Sequence, residues 1–162
     1  MKKLTTMVLL STLSVLTFGQ TTSDYRKSLY FEIAGSGGIG SMNFEKSFVS
    51  RNHYELTWSA GLSLAPIDKN NGTVIVFPLM IHSLIGKSNH KLELGLGQGI
   101  TVTTKGSAFA LATAAVGYRY LTKKERWYYR LSYTPLISYL VDFQVQNWAG
   151  ISIGYNLNQI AK

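Results

Sequence analysis

The sequence contains no cysteine. That excludes a disulfide framework, a thiol nucleophile and a lipoprotein anchor cysteine. Proline is scarce, at three residues, while glycine numbers 15 and tyrosine 10, a balance that suits strands and tight turns. Acidic residues are few, eight against 16 lysines and arginines. No His/Asp/Glu spacing suggests a metal site, and neither a metal nor a cofactor is expected. Beyond the N-terminal segment no stretch approaches 18 continuous apolar residues, so no transmembrane helix is expected in the mature chain. The formal charge of +8 comes from residues scattered between apolar segments. That argues against nucleic acid as a partner and for basic turns at an anionic lipid surface.

Lys2 and Lys3 precede an apolar run from Leu4 to Phe18, and Thr17-Phe18-Gly19 offers a small-residue cleavage site. Residues 1–19 therefore read as a signal peptide, leaving 20–162 as a single domain.

What is present is alternation. From Tyr54 to Leu64 the odd list is Glu55, Thr57, Ser59, Gly61, Ser63, and the even list is Tyr54, Leu56, Trp58, Ala60, Leu62, Leu64. In a strand these lists occupy opposite faces. The pattern recurs about seven more times: Leu29–Gly35, Ile39–Phe48, Thr73–Ile85, Leu92–Val102, Phe109–Tyr120, Trp127–Thr134 and Trp148–Leu157. The division at Gly35–Gly38 leaves seven or eight strands open. Thr73–Ile85 is apolar on both faces, and Pro78 within it implies a bulge or irregular site. Residues 65–72 and 138–147 read as the longer connections.

Three features orient the faces. Lys69, Lys87, Lys105, Lys123 and Lys124 fall in turns and Lys91 at a strand end, as a lipid-facing wall requires. The polar face is Gly, Ser and Thr with Glu32, Glu55, Glu93, Arg119 and Arg130 among them, which would fill the lumen of an eight-stranded barrel. Tyr54, Tyr118, Tyr120, Trp127, Tyr129, Trp148 and Tyr155 mark strand ends as interfacial girdles do. Trp58, mid-strand, stands apart from them. The expected fold is an all-β, eight-stranded, antiparallel up-and-down transmembrane β-barrel. Glu32, Glu55 and Glu93 are expected to pair with Arg119 and Arg130 inside it, because an unpartnered buried charge costs several kcal/mol.

The segments NHKLELGLG at 89–97, GYRY at 117–120, YRLSYTPLI at 129–137 and WAGISIGYNL at 148–157 resemble a family of small outer membrane β-barrel proteins from Bacteroidetes-type bacteria. More broadly the chain is similar to eight-stranded barrels such as the transmembrane domain of outer membrane protein A. The resemblance covers the mature chain and implies a Gram-negative outer membrane location, contact with outer membrane lipids and with the barrel assembly machinery, and a monomer. It implies a non-enzymatic protein acting through outward loops in envelope integrity, adhesion or partner docking. One departure is that five residues follow Leu157, where many such proteins end on an aromatic residue.

Two rival readings stand beside this one. A lipid-modifying enzyme of the lipid A deacylase type would need Ser, His and an acid together. His82-Ser83 is the candidate, but adjacent strand residues point to opposite faces. A secreted, lipocalin-like soluble barrel would invert the faces and line a cavity with Leu56, Leu62, Leu94 and Ile151. Gly35–Gly40 is glycine-rich but lacks the Lys-Ser/Thr and helix of a phosphate loop.

Overall fold

The computed structural model describes residues 25–68, 72–104, 106, 108–139 and 143–158. The signal-peptide reading of residues 1–19 lies outside them. Ten strand segments follow in order: β1 (Lys27–Gly35), β2 (Gly38–Arg51), β3 (Tyr54–Asp68), β4 (Gly72–Ile85), β5 (His90–Thr103), β6 (Ala108–Leu121), β7 (Trp127–Tyr133), β8 (Leu136–Ser138), β9 (Gln144–Gln146) and β10 (Ala149–Asn156).

These ten segments make eight staves. β7 and β8 both pair with β6 in one continuous register, Val116 opposite Tyr133 and Thr113 opposite Leu136. The break between them is Thr134-Pro135. Pro135 has no N–H to give β6, though its carbonyl still accepts from the Ala114 N–H at 3.4 Å. β9 and β10 are likewise one stave, pairing with β8 and β7. Every neighbour is antiparallel, and β10 returns to pair with β1, Ser28 opposite Asn156. The ring is closed, and only the short β9, which pairs with β8 alone, keeps an unpaired side.

The faces separate as the alternation requires. Leu29, Phe31, Ile33, Leu94, Leu96, Ile151 and Ile153 point outward, Leu96 with 71% of its surface exposed. Ser28, Glu32, Ser41, Asn43, Glu45, Thr57, Ser59, Glu93, Arg119 and Arg130 are buried inside. An apolar exterior around a polar interior is the arrangement of a barrel that spans lipid. It is the inverse of a soluble ligand-binding barrel, and Leu56, Leu62, Leu94 and Ile151 line no cavity.

Five local readings are refined. Residues 35–38 divide two strands: Ser36-Gly37 is a two-residue connection, and Gly38 takes φ +84°. The supposed long connections shrink, because β3 runs to Asp68, β4 starts at Gly72, and β8 and β9 pair inside 138–147. Connections at the two ends are then of similar length, 52–53, 86–89 and 122–126 against 36–37, 69–71, 104–107 and 139–143. Pro78 makes no bulge. Its ring is buried in the lumen opposite Gly99, and pairing to β3 lapses there while the register on either side is unchanged. Trp58, which stood apart from the strand-end aromatics, is set beside a charge, opposite Lys46, itself opposite Lys27 at the start of β1. The end of β2 and the start of β3 run on past that level as a hairpin. Finally, Lys46 is a lysine within a strand on the outer face, an exception to the exclusion read from the sequence.

Candidate functional site: the lumenal charge network

The lumenal charges enter from inward positions of β1, β2, β3, β5, β6 and β7 and from Arg26 just before β1, and the closed ring converges them. At the end where β1 begins and β10 stops, Lys91 Nζ is 3.0 Å from Glu55 Oε2, and Arg26 Nε donates to Glu55 Oε1 at 2.9 Å. Arg26 Nη2 reaches Glu45 Oε1 at 3.1 Å. Arg119 then grips Glu45 with two nitrogens, at 2.7 and 2.9 Å, and donates from Nε to Glu93 Oε2 at 2.8 Å. Arg130 bridges Glu93 Oε1 at 3.0 Å and Glu32 Oε1 at 2.6 Å, and its Nε donates to Ser152 Oγ at 3.0 Å. Glu32 Oε2 accepts from the Ser36 N–H at 3.1 Å and from Ser36 Oγ at 2.8 Å.

The result is one chain of alternating sign: Lys91, Glu55, Arg26, Glu45, Arg119, Glu93, Arg130, Glu32. Four cations alternate with four carboxylates, so the formal charges of this chain of eight balance. Two-pronged guanidinium contacts and tyrosine faces complete the shell. Arg119 lies 4.5 Å from the Tyr128 ring centroid and Arg130 lies 4.4 Å from that of Tyr30. Burial of this kind tolerates charge because the fully buried groups are partnered more than once, while Lys91, with Glu55 alone, is partly exposed.

Of the five residues singled out from the sequence, Glu32, Glu93, Arg119 and Arg130 meet directly. Glu55 does not touch Arg119 or Arg130 and joins them through Arg26 and Glu45. Sequence reasoning missed four members, among them Lys91, which it placed at a strand end with the turn lysines. Glu45 already stood on the polar list of its strand and needed only to be counted. Arg26 sat in a polar stretch with no alternation to place it. His82 lay in a strand whose phase was ambiguous.

His82 adds a side branch. Its Nδ1 is 2.9 Å from Glu93 Oε1, its Nε2 is 3.1 Å from Ser59 Oγ, and Tyr30 donates to that same Oγ at 3.2 Å. The order acid, imidazole, hydroxyl is that of a nucleophilic triad. Ser59, however, is only 2% exposed and is hemmed in by Tyr30 and His82. With no approach for an acyl group, the arrangement links Tyr30 to Glu93 through Ser59 and His82. Ser83, the neighbour in sequence, points out of the barrel and takes no part.

Glycines make room for the large lumenal groups. A Cβ at Gly95 would stand 2.8 Å from His82 Nδ1, one at Gly61 2.6 Å from Asn43 Cγ, and one at Gly97 2.8 Å from Met80 Cα. In each case the two residues are direct cross-strand partners. Away from the termini the lumen turns neutral and aliphatic, and holds a cavity of about 60 Å³ between Ser36, Val76, Thr101, Leu111 and Leu136. Among the described residues no group of three His, Cys, Asp or Glu could hold a metal ion.

A closed eight-stranded antiparallel barrel with an apolar belt and a polar, charge-paired lumen defines the class of small transmembrane β-barrels. Solved structures carry the same fold. The N-terminal β-barrel domain of Pseudomonas aeruginosa OprF superposes with a TM-score of 0.56 at 12% identity, over 82% of this chain and 96% of that one. The Yersinia pestis outer membrane protein Ail, in a phospholipid bilayer nanodisc, gives 0.55 at 12% identity, over 83% and 100%. No protein-family model matches the sequence, and no curated protein matches it at a significant level.

Proposed function

We propose that this chain is a non-conducting, non-enzymatic outer membrane barrel that works through its outer and end surfaces in envelope integrity, adhesion or partner docking. The observation that carries this reading is the unbroken chain of eight charges across the lumen, each within an ion pair. An eight-stranded barrel is just wide enough to be filled by side chains, and here it is filled. The outer membrane location is supported by the apolar belt and by the kind of protein that shares the fold. The narrower likeness to small barrels of Bacteroidetes-type bacteria rests on the segments at 89–97, 117–120, 129–137 and 148–157. Because the connections are short, the working surface away from the termini is the set of hairpin tips, with no long loop among the described residues.

The test is fractionation of the expressed protein, then electrophoresis of the detergent extract with and without boiling, then reconstitution in a planar bilayer. Outer membrane recovery, heat-dependent mobility and no unit conductance are expected. A soluble product, or discrete conductance steps from the folded barrel, would overturn the reading.

A further inference from the structure

Lys27 and Lys46 are direct partners across β1 and β2, and both point to the outer face. Two like charges set opposite each other weaken a ladder. Neither ammonium has a carboxylate partner among the described residues. Lys46 is in turn opposite Trp58, whose indole meets the Phe44 ring edge-on at 5.8 Å. Immediately further into the apolar belt lie Leu29 opposite Phe44, then Phe31 opposite Met42. Two cations without a carboxylate partner among the described residues thus cap an apolar track beside Trp58, at the end of the barrel where β1 begins and β10 stops. The connections at the same end carry Arg51, Lys87, Lys123, Lys124 and Arg126 against Glu125, a net positive set that favours an anion.

We infer that Lys27 and Lys46 form a binding site for the phosphate of an anionic glycerophospholipid, with its acyl chains along Leu29, Phe31 and Met42 and its interface marked by Trp58. The inference rests on the membrane-barrel reading. A lipid is the occupant because the cations and the apolar track are contiguous, and a free phosphate would use only the first. Phosphatidylglycerol supplies one negative charge between the two ammonium groups and so relieves their mutual repulsion.

The probe is Trp58 alone, in the full chain carrying Trp127→Phe and Trp148→Phe, folded into phosphatidylcholine vesicles. A minor fraction of either phosphatidylglycerol or phosphatidylcholine bears brominated acyl chains that quench a neighbouring indole. About fivefold preference for the anionic lipid is expected for each lysine that engages it. Lys27→Gln with Lys46→Gln should abolish the preference, while Lys87→Gln with Lys123→Gln should leave it in place. Equal quenching by the two lipids overturns the site, as does a preference that survives the first pair or disappears with the second. Heat-dependent mobility of each variant reports folding separately. A chain that never inserts overturns the barrel reading itself, whereas an inserted barrel without lipid preference overturns only this site.

Discussion

Tyr128 and Gly154 are direct partners across β7 and β10, and the phenol ring fills the volume that a side chain at 154 would need. A Cβ on Gly154 would stand 2.6 Å from the Tyr128 hydroxyl oxygen and nearer still to the ring. Tyr128 cannot swing away, because Arg119 and Arg26 both lie against its face. Gly154→Ala is therefore expected to destabilise the folded barrel by about 1–3 kcal/mol, the usual range for overpacking. Urea unfolding in detergent, followed by tryptophan fluorescence, measures it. The same substitution should cost less in a Tyr128→Leu background, and equal costs in both backgrounds would refute the contact.

Glu93 is the hub of the network, since it accepts from Arg119 and Arg130 and sits beside His82. Glu93→Gln keeps the volume and one acceptor but removes the charge between two buried guanidinium groups. Removing one partner of a buried ion pair costs about 3–5 kcal/mol. Arg119 keeps Glu45 and Arg130 keeps Glu32, so the lower end of that range is expected. A midpoint within error of wild type would mean that the lumen admits water or ions to replace the lost charge.

Arginine position should matter as much as arginine chemistry. Arg119 is enclosed between Glu45, Glu93 and Tyr128, whereas Arg26 lies at the mouth before the first strand begins. Arg119→Ala should prevent a heat-modifiable barrel from forming or cost about 3–5 kcal/mol. Arg26→Ala leaves Glu45 to Arg119 and Glu55 to Lys91, so a smaller loss is expected, with folding retained. The comparison is read from heat-dependent mobility and urea midpoints of the two variants side by side, and a larger loss for Arg26→Ala would contradict the layering.

How much of this was legible in the sequence depends on the stave. Where one face is apolar and the other small and polar, as in Tyr54–Leu64 and Leu92–Val102, alternation alone placed every side chain. It located Glu32, Glu93, Arg119 and Arg130 in one lumen, because a closed ring of known phase leaves their side chains nowhere else to go. It did not pair them, since pairing depends on register between strands far apart in sequence: Glu55 meets Arg26 and Lys91 because of stagger, which no single strand encodes. β4 hid His82 because Val74, Pro78 and Leu84 face the lumen as Ile75, Leu79 and Ile81 face out, so polarity gave no phase. The connections misled for a related reason. Pro66, Asp68 and Gly72 have turn composition, yet hairpin pairing carries the strands through them.

The direction of the faces is the claim on which the rest depends, and depth tests it. Leu96 and Leu92 are both outward on β5, but Leu96 is central in the belt and Leu92 lies two residues from the strand's start. If the belt faces hydrocarbon, Leu96→Arg should cost about 2–4 kcal/mol and Leu92→Arg about 0–1, because the long cation reaches water only from the rim. On a solvated outer face neither substitution would cost more than a few tenths, and they would not differ by depth. Unfolding of the two variants from lipid vesicles supplies the comparison. A steep cost at 96 with little at 92 fixes the lipid-facing side and leaves Glu32, Glu93, Arg119 and Arg130 as the interior, whereas equal small costs would move the membrane off this surface altogether.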